Sequence, residues 1–346
     1  MILYIHIPFC DSKCGYCAFF SQVHKENLIE PYFKALLKDL RHIITHFNVK
    51  NFESVFVGGG TPNFADSKHY IPIFTLLEPF LTNDCEITFE ANPNLVTESW
   101  LLEIRQLGLN RLSFGVQSFY TDKLQMLERT HKKDDVFRAF DIASRYINNI
   151  SLDLIYDCKL DTKDRMLYEL ESALELPINH LSAYSLSIDS NSRFGDKNAY
   201  NLQAKESFGI FIRDFLHSHN FRQYEVSNFA YTNKCRHNLG YWGGAEYLGI
   251  GASSVGKVGY IRYVAPANIE QYIAQPLERK KEILSQEDLN FENVFMGLRS
   301  EVGVEKNLLK QDKLQYTITS NLCIEKNGYI YANDFFLADS LAIYLT

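Results

Sequence analysis

The stretch Tyr4-Ile-His-Ile-Pro-Phe-Cys10, continued by Cys14, Tyr16 and Cys17, is the most informative part of the sequence. An apolar run leads directly into three cysteines spaced Cys-x-x-x-Cys-x-x-Cys. Thiolates at this spacing can wrap one small inorganic cluster within a single loop. They would leave one iron of a 4Fe–4S cube without a protein ligand, unlike the fully cysteine-ligated clusters of ferredoxins. We therefore predict a cluster loop directly after the first strand.

A structural zinc ion is the alternative for the same cysteines. Zinc would require a fourth ligand, and His6 and His24 are the only candidates nearby. Neither lies at regular zinc-finger spacing, so the cluster is the favoured interpretation. The other cysteines are scattered, and we interpret them as buried small apolar side chains: Cys85, Cys158, Cys235 and Cys323.

Short apolar runs alternate with helical patterns beyond the cysteine loop. The predicted strands are Leu3–Ile7, Ser54–Val57, Glu86–Glu90, Arg111–Val116, Ser151–Tyr156 and His180–Ser187. The predicted helices are Leu28–Phe47, Ile71–Phe80, Glu98–Leu107, Asp134–Tyr146 and Asp164–Glu175. This alternation indicates βαβ units and a parallel sheet. Six units are fewer than the eight of a closed barrel. We therefore predict an α/β fold with a partial (β/α)6 barrel and a ligand site at the carboxyl ends of its strands.

The pattern changes after about residue 222. Gln223–Phe229 is predicted as a strand, and a glycine-rich aromatic stretch follows at Tyr241–Tyr263. Residues 270–346 are predicted to form a small helical domain with a wing-like hairpin, whose turn is placed at Asn333-Asp334. The predicted domains are therefore residues 1–269 and 270–346.

Composition excludes several classes of protein. The 346 residues carry 35 Lys and Arg against 42 Asp and Glu, so the net charge is −7, and general binding to nucleic acid is not expected. No apolar run reaches the ~18 residues that span a bilayer, and no secretory signal is visible. We expect a cytoplasmic protein. Aromatic residues make up 14% of the chain. Either a compositional bias or a planar ligand stacked on aromatic faces would explain this content.

A glycine triplet, Gly58-Gly-Gly-Thr-Pro62, follows the second predicted strand. A turn explains such a triplet equally well, but glycines also let the backbone approach a ligand closely. Taken with the cysteine loop, the motif resembles the radical S-adenosylmethionine superfamily. The resemblance implies a 4Fe–4S cluster whose open iron chelates S-adenosylmethionine. It also implies that Tyr16 lies near the adenine and that the glycine motif contacts the methionine moiety.

One subgroup of that superfamily has further motifs that match this sequence. The carboxylates and the arginine fall at or just beyond predicted strand ends, and they suit ribose hydroxyls, an ammonium group and a carboxylate. Each of them alone would more often be a surface or capping residue. The resemblance implies the following S-adenosylmethionine site: Tyr4, Tyr16, Phe19, Gly58, Gly59, Gly60, Thr61, Glu90, Gln117, Arg129 and Asp153.

The subgroup contains oxygen-independent coproporphyrinogen III oxidase (HemN) and the HemW heme chaperones, and the sequence resembles the chaperones more. The oxidase has a fourth cysteine two residues after the third, where this chain has Phe19, and a long segment before its cluster loop, where this chain has nine residues. The amino-acid sequences of Leu181–Ile188 and Gln223–Phe229 also resemble those of the chaperones. Phe19 is expected to fill space and exclude water near the open iron.

The segment His237-Asn-Leu-Gly-Tyr-Trp242 matches a motif associated with heme in the chaperones. The resemblance implies that His237 is the axial base and that Tyr241 and Trp242 face the macrocycle. Cys235 is an alternative ligand as thiolate, and Arg236 or Arg262 would meet a propionate. In the alternative interpretation, His237 is a hydrogen-bonding loop residue and the two aromatic side chains pack at an interface.

Two functions follow from these motifs. The first is a heme chaperone that delivers heme to apoproteins such as membrane cytochromes, works with an electron donor for its cluster and docks at the inner membrane when it delivers. The second is radical decarboxylation of coproporphyrinogen III, whose four propionates would demand basic side chains that the sequence does not show. Another radical reaction, such as methyl transfer to a porphyrin, is a third option. One departure from the family is Asp157-Cys158-Lys159, where Gly-Leu-Pro is usual.

Overall fold

Six parallel strands follow one another in the computed structural model, which describes residues 1–346. They are β1 (Ile2–Ile7), β2 (Phe52–Gly59), β3 (Leu81–Ala91), β4 (Arg111–Gln117), β5 (Ile150–Tyr156) and β6 (His180–Ser185). Each hydrogen-bonds to the next in parallel register. All six predicted strands are confirmed.

Helices connect the strands, as parallel pairing requires. They are α1 (Ile29–His46), α2 (Ile71–Leu77), α3 (Glu98–Gln106), α4 (Thr121–Met126), α5 (Lys133–Ser144) and α6 (Lys163–Leu174). Helix α1 buries Leu36, Leu40 and Ile43 on the sheet, since residues three and four apart share a face. Thr97 begins α3 by accepting a hydrogen bond from the Trp100 N–H at 3.2 Å.

The sheet continues beyond these six strands at both edges. Helices α7 (Arg193–Asp196) and α8 (Gly209–Ser218) precede β7 (Arg222–Gln223) and β8 (Asn228–Ala230), which form a short antiparallel pair beside β6. Helix α9 (Arg236–Trp242) then leads to β9 (Tyr247–Ile250), which is parallel to β1. Strands β10 (Val255–Val258) and β11 (Ile261–Val264) follow in antiparallel order.

The prediction of one continuous strand at Gln223–Phe229 is wrong. The Val226 N–H donates to the Arg299 carbonyl at 2.9 Å, and the Glu301 N–H donates to the Tyr224 carbonyl at 2.8 Å. The middle of the segment therefore pairs with the C-terminal part of the chain. Its β propensity is satisfied by a distant partner, which the local pattern does not reveal.

The main sheet curves into an open barrel. At the amino-terminal ends of the strands, Ser54 of β2 and His180 of β6 belong to one connected network of buried hydrogen bonds. At the carboxyl ends, residues of β2 through β6 line a single cavity. Strands four places apart in the sheet can share partners only if the sheet bends around them. The predicted partial barrel is confirmed.

The C-terminal part has its own small core. It contains α11 (Gln286–Leu298), β13 (Val304–Glu305), α12 (Gln311–Thr319), β14 (Cys323–Lys326), β15 (Tyr329–Ala332) and α13 (Ala338–Leu345). The buried apolar cluster of this part begins at Val294. Before it, α10 (Ile269–Ala274) packs on α1, and β12 (Lys280–Ile283) extends the main sheet beside β11. The division after residue 269 stays a prediction.

The predicted hairpin is present, but the prediction of its turn is wrong. β14 and β15 are joined at Asn327 and Gly328, whose φ angles are +55° and +80°. Asn and Gly tolerate this left-handed backbone and suit a two-residue hairpin loop. Asp334 instead accepts a hydrogen bond from the Phe336 N–H at 2.9 Å and so begins a short helical turn. None of the helices combines the length and apolar character that crossing a bilayer requires.

Candidate functional site

A cavity of about 360 Å³ opens at the carboxyl edge of the sheet. Parallel strands of α/β folds characteristically place ligand sites at this edge. The cysteine loop covers one side, and the ends of β2 to β6 form the rest. The cavity brings together these predicted site residues: Cys10, Cys14, Tyr16, Cys17, Phe19, Gly59, Gly60, Thr61, Glu90, Gln117, Arg129 and Asp153.

The three cysteines of the loop face this cavity. Cys10 and Cys14 are buried and Cys17 is half-buried. Thr61 donates a hydrogen bond to Cys10 Sγ and Arg129 donates one to Cys14 Sγ, each at 3.4 Å. Burial raises the pKa of the Cys10 thiol to about 11, although the hydrogen bond from Thr61 opposes this shift. Ligation of iron would therefore displace a proton from that thiol.

The donor set suits a cluster better than a single ion. Nowhere in the molecule do three His, Cys, Asp or Glu side chains converge closely enough to hold one metal ion. His6 is also engaged, because its Nε2 lies 2.8 Å from the Phe20 carbonyl and its Nδ1 lies 3.1 Å from the Tyr4 hydroxyl. These observations disfavour the zinc alternative. Three thiols around one cavity fit the larger iron–sulfur group.

The glycine motif forms a wall of bare backbone. Gly59 has a φ of +116°, and a Cβ there would lie 2.4 Å from the His6 ring. A Cβ on Gly60 would lie 2.8 Å from the Phe9 carbonyl oxygen. Gly58 lies just outside the lining, against the Glu90 carboxylate. Glycine is therefore required at both positions by packing against His6 and Phe9, and the main chain of Gly59 and Gly60 itself lines the cavity.

Two half-buried carboxyl groups, those of Glu90 and Asp153, line the cavity. Burial raises the pKa of Glu90 to about 7, the negative charge of Asp153 raises it further, and the Gly59 N–H at 3.0 Å opposes the shift. Burial also raises the pKa of Asp153 to about 6, while a hydrogen bond from Ser182 lowers it. A cationic or hydroxyl-rich ligand would relieve this repulsion.

Arg129 supplies a positive charge on the cysteine side of the cavity. Its guanidinium donates to Cys14 Sγ, and at 2.8 Å to both the Asn92 Oδ1 and the Gly115 carbonyl. Sequence reasoning missed Asn92. It lies two residues after Glu90, so strand alternation, had it been extended one step past the predicted end of β3, would have found it.

Two residues predicted for this site are arranged differently from the others. Tyr4 does not line the cavity; its hydroxyl contacts His6 below it. Phe19 lines the cavity at its rim with its side chain 71% exposed. Its role near the open iron stays a prediction.

The predicted heme residues lie at the opposite end of the barrel. His237 is 2% exposed, and its Nδ1 lies 2.8 Å from the Ser54 hydroxyl. Its ring packs between those of Phe56 and Tyr241, with centroids about 5 Å away. Burial lowers its pKa to about 3, and its Nε2 has no partner. The Trp242 Nε1 is likewise buried without a partner. A heme could reach His237 only if α9 moved.

The other residues considered for heme are already engaged. Cys235 is fully buried, with Sγ 3.6 Å from the Glu86 carboxylate. Arg236 donates to the Asp84 side chain at 3.1 Å, and Arg262 is paired with Glu282 and Glu292. The heme site stays a prediction. Its residues form the floor of the barrel in this structure.

The fold and the cysteine loop define a radical S-adenosylmethionine protein. The family model described as the radical SAM superfamily matches residues 4–170. Escherichia coli coproporphyrinogen III oxidase (HemN), described as a radical SAM enzyme, has a similar fold with a TM-score of 0.83 and 19% sequence identity. The match covers 99% of this chain and 89% of the oxidase.

Related sequences specify the family within this superfamily. A protein of Buchnera aphidicola subsp. Acyrthosiphon pisum named heme chaperone HemW is 31% identical over 97% of this chain and 91% of its own length. The heme chaperone HemW of Bacillus subtilis is 32% identical over 88% of this chain and 84% of its own. The chain belongs to the HemW family of radical S-adenosylmethionine proteins. Membership implies a 4Fe–4S cluster and S-adenosylmethionine.

Proposed function

We propose that the protein is a heme chaperone that holds heme together with a 4Fe–4S cluster and S-adenosylmethionine. One observation favours this function over the oxidase. Lys13 and Arg129 are the only basic side chains that line the cavity, and Arg129 is already bound to Cys14 and Asn92. A substrate with four propionates requires several charge-assisted partners. The cavity does not offer them.

The cavity residues have separable tasks in this proposal. Cys10, Cys14 and Cys17 would hold the cluster, which, when bound, supplies an electron for cleavage of the sulfonium. Arg129 would balance the thiolate charge at Cys14. The bare backbone at Gly59 and Gly60 would receive the methionine part of S-adenosylmethionine.

The acidic pair completes the proposed S-adenosylmethionine site. Glu90 and Asp153 would accept hydrogen bonds from ribose hydroxyls or from the ammonium group. The raised pKa of each carboxyl group indicates that a bound cation would favour the charged form. Binding of S-adenosylmethionine is therefore expected to release protons near neutral pH.

Heme would bind at the floor of the barrel after α9 is displaced. His237 and Cys235 are both candidate ligands, and the test compares them. His237→Ala should weaken heme binding and change the Soret band, while binding of S-adenosylmethionine persists at the other end of the barrel. Cys235→Ser is the matched variant. A spectrum altered only in the cysteine variant would assign the iron to Cys235, and two unchanged spectra would reject this site.

Oxidation of coproporphyrinogen III is the second candidate, and the fold shared with the Escherichia coli enzyme is the observation that favours it. Purified protein with a reconstituted cluster, reductant and S-adenosylmethionine should form no protoporphyrinogen IX. Turnover would reject the chaperone function.

The proposed function includes delivery of heme to acceptor proteins. The acceptors would be apoproteins such as membrane cytochromes, and an electron donor would serve the cluster. The protein would work in the cytoplasm and dock at the inner membrane for transfer. The net charge of −7 does not favour nucleic acid as a partner. A transfer assay with heme-loaded protein and apocytochrome, with free heme as the control, tests this step.

A further inference from the structure

A strap of residues 186–208 runs from the end of β6 to the start of α8, and it crosses the rim of the cavity. Its first residues, Leu186 and Ser187, line the cavity, and its only α-helix is the four-residue α7. The strap is held by contacts at its two ends, by the Lys159 N–H, which donates to the Leu202 carbonyl at 2.7 Å, and by a buried apolar cluster that includes Ile188 and Phe194.

One part of the strap holds the cysteine loop. The Phe194 N–H donates to the Gly15 carbonyl at 2.8 Å, and the Arg193 guanidinium donates to the Lys13 carbonyl at 2.6 Å. Arg193 also pairs with Glu128. The buried Phe194 ring occupies the place that a Cβ on Gly15 would take, 1.9 Å from a ring carbon. These contacts surround Cys14 on both sides in the sequence.

Apart from the strap, two contacts hold the middle of the loop: Arg129 donates to Cys14 Sγ at 3.4 Å, and Lys13 Nζ donates to the Ser21 carbonyl at 3.2 Å. At its start, the Cys10 N–H donates to the Gln22 carbonyl at 3.1 Å. At its end, the Cys17 N–H donates to the Cys14 carbonyl at 3.3 Å. The carbonyls of Lys13 and Gly15 are both bound by the strap. The position of Cys14 relative to the other two thiols therefore depends on the strap together with Arg129.

The far end of the strap is anchored by Asp157. Its carboxylate accepts hydrogen bonds from the Ser185 hydroxyl, the Ser207 hydroxyl and the Phe208 N–H, each at 2.8 Å. Its carbonyl accepts the Ala204 N–H at 2.7 Å. Asp157 is 7% exposed and has a φ of +61°, a conformation that favours glycine.

A glycine would adopt the same backbone without strain, but it would bring no carboxylate. Asp157 tolerates a strained backbone and gains three hydrogen bonds from it.

We propose that Asp157 is a positioning residue of the cluster site and acts through the strap on residues 13–15 of the cysteine loop. The proposal rests on the cluster assigned to the family and is independent of heme delivery. Asp157 touches neither the cysteines nor the cavity centre. Asp157 slows the opening of the cysteine loop and therefore the release of iron.

The test compares Asp157→Gly with wild type in the full chain. Glycine keeps the left-handed backbone, so the variant should fold. We expect about tenfold faster loss of iron to a chelator from the reconstituted protein, because three buried hydrogen bonds are lost. Deuterium uptake at Phe194, whose N–H is bound to the Gly15 carbonyl, should rise in the iron-free protein, while uptake of residues 323–332 in the C-terminal core should not change.

Three comparisons make the result specific. Asn198→Gly replaces another left-handed residue, with a φ of +52°, in the same strap and should match wild type. Asp157→Asn keeps one acceptor oxygen and should fall between glycine and wild type. Phe194→Ala removes the contact at Gly15 and should reproduce Asp157→Gly.

The proposal fails if the Asp157→Gly protein takes up deuterium and releases iron as slowly as the Asn198→Gly protein. It also fails if iron is lost faster while exchange at the Phe194 N–H is unchanged, since the effect would then not pass through the contact between the strap and the loop. If wild type binds no iron at all, the cluster assignment fails, and the exchange data still decide whether Asp157 controls the loop.

Discussion

The two ends of the barrel have similar side chains and opposite properties. At the floor, the Glu86 carboxylate accepts the N–H groups of Arg236 and His237, and His180 contacts Ser151 and Tyr224. At the cavity, the half-buried carboxyl groups of Glu90 and Asp153 have few partners and raised pKa values. Both sets occupy inward positions of the same strands. Polar residues inside a barrel therefore indicate a binding site only where nothing else in the chain covers them.

The largest expected effect is at the cavity. Changing Cys10, Cys14 and Cys17 together to Ala should abolish iron binding and the brown absorbance of protein reconstituted without oxygen, because no other cysteine lines the cavity. Iron and sulfide analysis measures this. Iron retained by the triple variant would contradict the cluster loop, and Cys85→Ala is the control that should keep all its iron.

Gly59→Ala tests the wall of the cavity. The side chain would be strained at a φ of +116° and would meet the His6 ring. We expect at least about tenfold weaker binding of S-adenosylmethionine, the equivalent of a 1–3 kcal/mol strain. Calorimetric titration measures the affinity. Gly259→Ala, at a positive φ with open space around it, is the matched control; equal losses in both variants would show general strain and not a ligand wall.

Glu86→Ala tests the floor. It would leave two N–H groups of α9 and the nearby Arg111 without their buried partner, so the free energy of unfolding should fall by about 3 kcal/mol. Urea denaturation measures this change. The folded Glu86→Ala protein should still bind S-adenosylmethionine with the affinity of wild type. If affinity at the cavity fell as much as stability, the two ends would not be independent.

Glu90→Gln tests the carboxyl group at the cavity end through the pH dependence of the free energy of unfolding. A carboxyl group whose pKa is about 7 when folded and about 4 when unfolded keeps its proton longer in the folded state. Stability from this group is present at acidic pH and is lost as pH rises from about 4.5 to 7, by up to about 3 kcal/mol.

The variant should therefore lose less stability than wild type over this range in denaturant titrations. Buried histidines act in the opposite direction, since burial lowers the pKa of His6 and His131 to about 4, so the readout is the difference between the two proteins. Parallel pH profiles would reject the raised pKa of Glu90.

The smallest effect is expected at Phe19. The side chain is 71% exposed, so Phe19→Cys should change the free energy of unfolding by less than about 0.5 kcal/mol. Neither wild type nor this variant should decarboxylate coproporphyrinogen III, because the cavity lacks a basic cradle. Turnover by the variant alone would show that position 19 was the difference between chaperone and oxidase.

The sequence predicted the repeated units well because their signals are local. Strand alternation and the 3.6-residue period of α1 depend on neighbouring residues, and the spacing of the cysteines lies within a single loop. The prediction for Gln223–Phe229 is wrong because its partners, Arg299 and Glu301, lie 73 and 77 residues further along the chain than Val226 and Tyr224. The turn of the hairpin was misplaced because Asn327-Gly328 and Asn333-Asp334 are both turn-forming pairs, and only strand register distinguishes them.

The sequence by itself determined the parallel α/β order, the cysteine loop and the set of residues that reach the cavity from Gly59 to Asp153. Only the tertiary structure decided that Asn92 joins them, that Phe19 lies at the rim and that His237 is closed in the floor. The physical reason is that alternation puts a side chain inside the barrel but does not say what covers it. Helix α9 closes the floor, and its Arg236 lies 150 residues after Glu86 in the sequence. No local pattern encodes the hydrogen bond between them.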